Sequence, residues 1–84
     1  MTVSFASSAL EDYKAWAAED PKIFERINAL ITDIARSPFS GLGKPEGLKH
    51  NLSGYWSRRI TQEHRLVYKV KADTIFIASC KFHY

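Results

Sequence analysis

Eighty-four residues make one small domain, and at 45% hydrophobic and 13% aromatic they can close a single core, which excludes a disordered chain. No apolar run reaches the roughly 20 residues of a membrane span, and the amino terminus lacks a secretory pattern. The one cysteine, Cys80, excludes an internal disulfide and a thiolate metal cluster, so the expected location is the cytoplasm.

The formal charge of +3 is unevenly spread: residues 1–43 carry four Lys/Arg against six Asp/Glu, and residues 44–84 carry eight against three. A basic second half suits an anionic partner such as nucleic acid, and suits equally a well-solvated sheet face.

Val3 to Phe5 predicts a short opening strand, and Ser7 or Ser8 is a candidate N-cap. Leu10, Tyr13, Trp16 and Ala17 then recur at helical spacing. Asp20-Pro21 is a restart signal, after which Ile23, Ile27, Leu30, Ile31 and Ile34 line a second helix that ends before Ser37-Pro38. Two helices in close succession form an antiparallel hairpin. Past Pro38, glycines and Pro45 punctuate a long connection. Strand patterns follow over residues 55–61, 64–71 and 74 to about 82, with a tight turn at Lys71-Ala72-Asp73. The expected fold is α+β in a single domain spanning residues 1–84: a short strand, a helix hairpin, then three antiparallel strands, with the helices on one face of one sheet.

Three places carry candidate chemistry. The loop from Gly43 to Gly54 sets Glu46 among Lys49 and His50, so it is either an ordinary charged loop or one holding a carboxylate base. If the first hairpin turns around Gln62, Arg59 and Arg65 oppose each other on one sheet face. Like charges so placed repel unless an anion bridges them or Glu63 neutralises one. The chain closes on His83-Tyr84, either a frayed tail or an acid and a stacking group that reach a cleft. The histidine spacing predicts no metal site, and Cys80 reads as a buried, inert thiol. A carboxylate, an arginine pair and a histidine are together the groups needed to cleave RNA by attack of its own 2′-hydroxyl.

The segments SPF, GKPE, LKHNLSG, WSRRIT, EHRLVY and the terminal HY, all between Ser37 and Tyr84, closely resemble the YoeB toxins of the RelE/ParE superfamily. The resemblance continues more weakly through the helices. It implies a ribosome-dependent endoribonuclease with Glu46 as general base, His83 as general acid and Arg65 stabilising the transition state. Lys49, Arg59 and Tyr84 fall on family positions that bind or orient the messenger RNA. It further implies no cofactor, a homodimer docked at the ribosomal A site on the side of the small subunit, and a cognate antitoxin of the YefM type. Promoter DNA is then a partner only of the toxin–antitoxin complex. Two rivals share the sequence features: a binding module that grips RNA without cutting it, and a gyrase-directed inhibitor on the same fold.

Overall fold

A computed structural model describes residues 1–82 of the chain. Strand β1 (Thr2–Phe5) leads into helices α1 (Ser7–Glu19) and α2 (Pro21–Arg36). The remaining strands are β2 (Glu46–Gly47), β3 (Trp56–Arg59), β4 (Arg65–Lys71) and β5 (Thr74–Ser79), with one 3₁₀ turn at His50–Leu52. They form one five-stranded mixed sheet in the order β1-β5-β4-β3-β2. The expected three-stranded antiparallel unit is present, widened at both edges. β1 joins in parallel beside β5, and the two-residue β2 pairs antiparallel with β3. Glycine-rich and only two residues long, β2 carries no periodicity by which a sequence could announce it.

The helix hairpin follows the expected signals with two corrections. Asp20 caps α2, its Oδ1 accepting from the Ile23 amide at 3.4 Å, and Pro21 occupies the first helical position. α2 buries Ile27, Leu30 and Ile34 completely, with Ile23 and Ile31 partly covered. Neither Ser7 nor Ser8 caps α1, however; Ala6 stands at the cap, without a side-chain bond. The inward face of α1 runs through Ala9, Tyr13 and Trp16, leaving Leu10 and Ala17 outside. Tyr13 stacks between Phe5 and Phe24 and donates to Asn28 Oδ1 at 2.5 Å.

Both helices cover the sheet face formed by Leu66, Tyr68, Ile75 and Ile77. Simple alternation along β5 would next turn Ser79 inward. Instead the register shifts between β4 and β5, so that Val67 faces Ser79 and Tyr68 faces Ile77, leaving Ala78 extra. That bulge resets the parity and turns Cys80 into the core, where its thiol reaches the Ala9 carbonyl at 3.5 Å. Burial pushes the thiol up to about 12, so it stays protonated and unreactive.

The same inner face holds Arg58, which is wholly buried. All five of its N–H groups are used. Nη1 meets Asp33 Oδ2 at 2.6 Å and the Leu42 carbonyl at 3.1 Å. Nη2 meets the carbonyls of Ser37 (2.6 Å) and Ser40 (2.9 Å), and Nε meets Tyr68 Oη at 3.1 Å. Tyr68 in turn donates to the Pro38 carbonyl at 2.7 Å, a role kept because burial raises its pKa. One guanidinium thus ties α2, the connection after it and the sheet together.

Removing Arg58 takes the charge partner from the half-buried Asp33 carboxylate and the donors from three carbonyls. Arg58→Met is expected to lower stability by about 3–5 kcal/mol, measured by urea unfolding as a lower midpoint at unchanged slope. The Leu42 amide and Arg58 hold the Asp33 carboxyl below its ordinary 3.8. A carboxyl lowered by folding stabilises fully above that ordinary value and stops doing so as pH falls through its folded one. The protein should therefore lose stability on acidification below 3.8 more steeply than an Asp33→Asn variant, compared by melting temperature across pH.

Candidate active site

Strand alternation separates the residues of β3. Arg58 points to the helices, so Ser57 and Arg59 point to the opposite, helix-free face. Glu46 is paired with Ser57 across β2 and β3, and Arg59 is paired with Arg65 across β3 and β4. Glu46, Arg59 and Arg65 therefore share one face on three neighbouring strands. Glu46 is the diagonal neighbour of Arg59, a relation that places backbones roughly 7–8 Å apart, within reach of long side chains.

The arginine pair is of the close kind. The Arg59 amide donates away from β4, to the Gly43 carbonyl at 2.7 Å, and the Arg65 amide donates away from β3, to the Phe82 carbonyl at 3.1 Å. Two opposed residues whose amides both point outward form a non-hydrogen-bonded pair, in which side chains lie nearest each other. Gly43 has φ +79°, and a Cβ there would sit 2.9 Å from Leu30 Cδ2 and 3.1 Å from the Arg59 carbonyl. Only glycine lets the loop run this close to β3 and hold Arg59 so.

The hairpin turns through residues 60–64, as expected from the sequence. Glu63 does not neutralise either arginine: its Oε1 lies 3.7 Å from His64 Nε2. Arg65 folds its Nη1 over the turn, donating to the carbonyls of Thr61 (2.8 Å), Gln62 (3.1 Å) and His64 (3.1 Å). Its Nε and Nη2 have no partner among the described residues. Arg59, Arg65 and the turn line an open cleft of about 590 Å³.

Arg26 of α2 completes that cleft, its Nη2 donating to the Arg59 carbonyl at 3.3 Å. Arg26 is one of the four Lys/Arg of residues 1–43, and nothing in its spacing reveals that it reaches over the end of β3. Among the described residues no carboxylate pairs with any of the three arginines.

Lys49 sits before the 3₁₀ turn, exposed, and lines a second groove of about 480 Å³ together with Glu46 and His50. His83 and Tyr84, the expected acid and stacking group, lie outside the described residues. Phe82, just before them, is described, and its backbone is fixed at two points. Its carbonyl accepts from the Arg65 amide, and its amide donates to His64 Nδ1 at 2.8 Å. Among the described residues no group of three or more His, Cys, Asp or Glu is placed to hold a metal ion, and no helix is long and apolar enough to cross a membrane.

A family model for the YoeB-like toxin of bacterial type II toxin-antitoxin systems matches residues 5–84. The chain belongs to that family. The toxin YoeB of Escherichia coli K12 is 54% identical over 84 residues, covering the whole of both chains. Among solved structures, the YoeB/ParE toxin from Agrobacterium tumefaciens superposes with a TM-score of 0.97 at 46% identity, again over both full chains. Staphylococcus aureus YoeB, 50% identical, has been solved in a heterotetrameric complex with YefM (TM-score 0.94) and as a dimer (TM-score 0.95), each covering 100% of this chain and 98% of that one. The α+β fold expected of a YoeB toxin is thus the fold observed.

A like-charged pair with no carboxylate partner among the described residues works against the fold that carries it. Arg59→Gln should raise the stability of the free protein by roughly 0.2–1 kcal/mol at low salt, with the gain shrinking at high salt as screening weakens the repulsion. Paired urea melts at the two ionic strengths measure it, and an unchanged or lowered stability at low salt would contradict it.

Proposed function

We propose that this toxin is an endoribonuclease that cuts messenger RNA in the A site of a translating ribosome. The observation that carries the reading is the placing of Glu46, Arg59 and Arg65 on one open sheet face, with the two arginines directly opposed. A scissile phosphodiester is the anion that such a pair suits, since guanidinium forks match phosphate oxygens. In the reaction Glu46 takes the proton of the 2′-hydroxyl as its oxygen attacks the adjacent phosphorus. Arg65, with two nitrogen positions free of protein partners among the described residues, stabilises the added negative charge of the phosphorane. Arg59 and Lys49 orient the strand. His83 gives its proton to the departing 5′-oxygen, leaving a 2′,3′-cyclic phosphate and a 5′-hydroxyl, and Tyr84 stacks on or bonds the substrate.

A metal-independent mechanism is part of this reading, because the base, the charge stabiliser and the acid are all side chains. Lys49 and Arg26, outside the reacting centre, extend the positive surface toward RNA. The Staphylococcus aureus structures, a YoeB–YefM complex and a YoeB dimer, support two further elements, a homodimer and a cognate antitoxin of the YefM type; in this reading the antitoxin silences the toxin, and only the pair binds promoter DNA. Such a toxin acts in the cytoplasm, where its ribosomal target is.

The deciding experiment is primer-extension mapping of cuts in a reporter messenger RNA, with and without translating ribosomes. Cuts should require ribosomes and fall in A-site codons. Glu46→Ala and His83→Ala should each slow single-turnover cleavage roughly 10²–10⁴-fold. Arg65→Ala should reduce cleavage far more than ribosome association, because its partner charge develops only in the transition state. An intact messenger under growth arrest would sink the nuclease reading, and accumulating DNA breaks would then favour a gyrase-directed toxin.

A further inference from the structure

His64 is buried, 6% exposed, immediately before β4, and the reaction above makes no use of it. Its ring meets the edge of Trp16 from α1 (centroids 4.9 Å apart) and tilts against Phe82 at 5.2 Å. Its Nδ1 is 2.8 Å from the Phe82 amide. A backbone amide can only donate, so Nδ1 must carry the lone pair, and the neutral ring bears its proton on Nε2. Phe82 itself has φ +61°, a left-handed conformation that a bulky side chain adopts only where surrounding bonds enforce it. The enforcing bonds come from successive residues: His64 takes the amide, and the Arg65 amide takes the carbonyl.

We propose that His64 is a positioning residue, whose Nδ1 locks Phe82 in this conformation and so sets where the chain beyond it departs beside Arg65. The inference rests on the nuclease reading, in which residue 83 supplies the acid. Its content is that the acid is aimed through a hydrogen-bond acceptor, and not through ring packing. A histidine displaced by even 1 Å loses much of its rate contribution, on the order of 10²-fold.

Two substitutions separate acceptor from packing. His64→Phe keeps an aromatic ring between Trp16 and Phe82 but removes the acceptor. His64→Asn gives up the ring yet keeps an oxygen at the position of Nδ1. In single-turnover cleavage on programmed ribosomes, His64→Phe should be slower by roughly 10- to 100-fold with ribosome association unchanged, and His64→Asn should retain most of the rate. A His64→Phe variant as fast as the parent overturns the proposal, as does an Asn variant that falls with it.

Hydrogen exchange of the Phe82 amide, followed by NMR, tests the tether without any cleavage assay. Protection in the parent and in His64→Asn, lost in His64→Phe, supports it. A Phe82 amide that exchanges in the unsubstituted protein like one in an unstructured peptide overturns it, and that measurement needs no variant to fold. If the parent cuts no messenger on ribosomes, the nuclease reading fails and the aiming role fails with it, while the exchange data still decide whether the tether exists.

Discussion

A buried guanidinium is among the most demanding groups a small domain can hold, because an ion removed from water must recover every hydrogen bond it gave up. Arg58 recovers all five. One partner, Asp33, supplies the opposite charge from α2, three are carbonyls of the connection between α2 and β2, and the last is the Tyr68 hydroxyl. The irregular connection from residue 37 to residue 42 is thereby folded around one side chain. Its one glycine follows from that: Gly41, with φ +112°, lies so close to the Asp33 carboxylate that a Cβ would collide with it. The loop then delivers Gly43 to β3 and β2 to the sheet edge, and β2 carries Glu46.

Arg58 and Arg59 are neighbours in sequence with opposite fates. Alternation along β3 sends the first into the core and the second to the helix-free face, so the charge that organises the loop also fixes the register of the charge exposed beside it. A one-residue slip would exchange the two faces, taking Arg58 away from Asp33 and turning Arg59 toward the helices. The inner arginine is fully compensated, and the outer one faces a second arginine with no carboxylate between them among the described residues. Compensated charge inside and uncompensated charge outside is the electrostatic contrast on which the proposed phosphate contact rests.

Periodicity and punctuation were legible along the chain. The α2 stripe, the Asp20-Pro21 start, the strand pattern of β4 and the Arg59–Arg65 opposition across a turn near Gln62 all follow from spacing alone, and the structure has them. What spacing does not encode is partnership across distance. Asp33 and Arg58 are 25 positions apart and read as two surface charges until the loop is seen around them. β2 is too short to show a period, and the bulge at Ala78 is invisible because it alters pairing, not composition. The contacts of Arg26 and His64 are hidden in the sequence for the same reason: one reaches a strand end from a helix, the other bonds a backbone amide 18 residues on. Placing Glu46 near phosphate chemistry rested on resemblance to YoeB toxins, since a lone loop carboxylate carries no signal of its own.

The division between β3 neighbours recurs at the start of β4. His64 turns toward α1 and is covered by Trp16, while Arg65 turns toward the cleft. In both places the inner residue of a consecutive pair packs against the helices and the outer one lines the open cleft, so the open face inherits its geometry from contacts on the hidden one. That inheritance matters in a chain of 84 residues, where a small core must supply both stability and rigidity. A cleft assembled from loops alone would have to restrain each arginine separately. Here the pleat restrains them, and the last described residue is fastened to the same two positions, one bond from each. The chemistry of the face is thus set by how well the opposite face is packed.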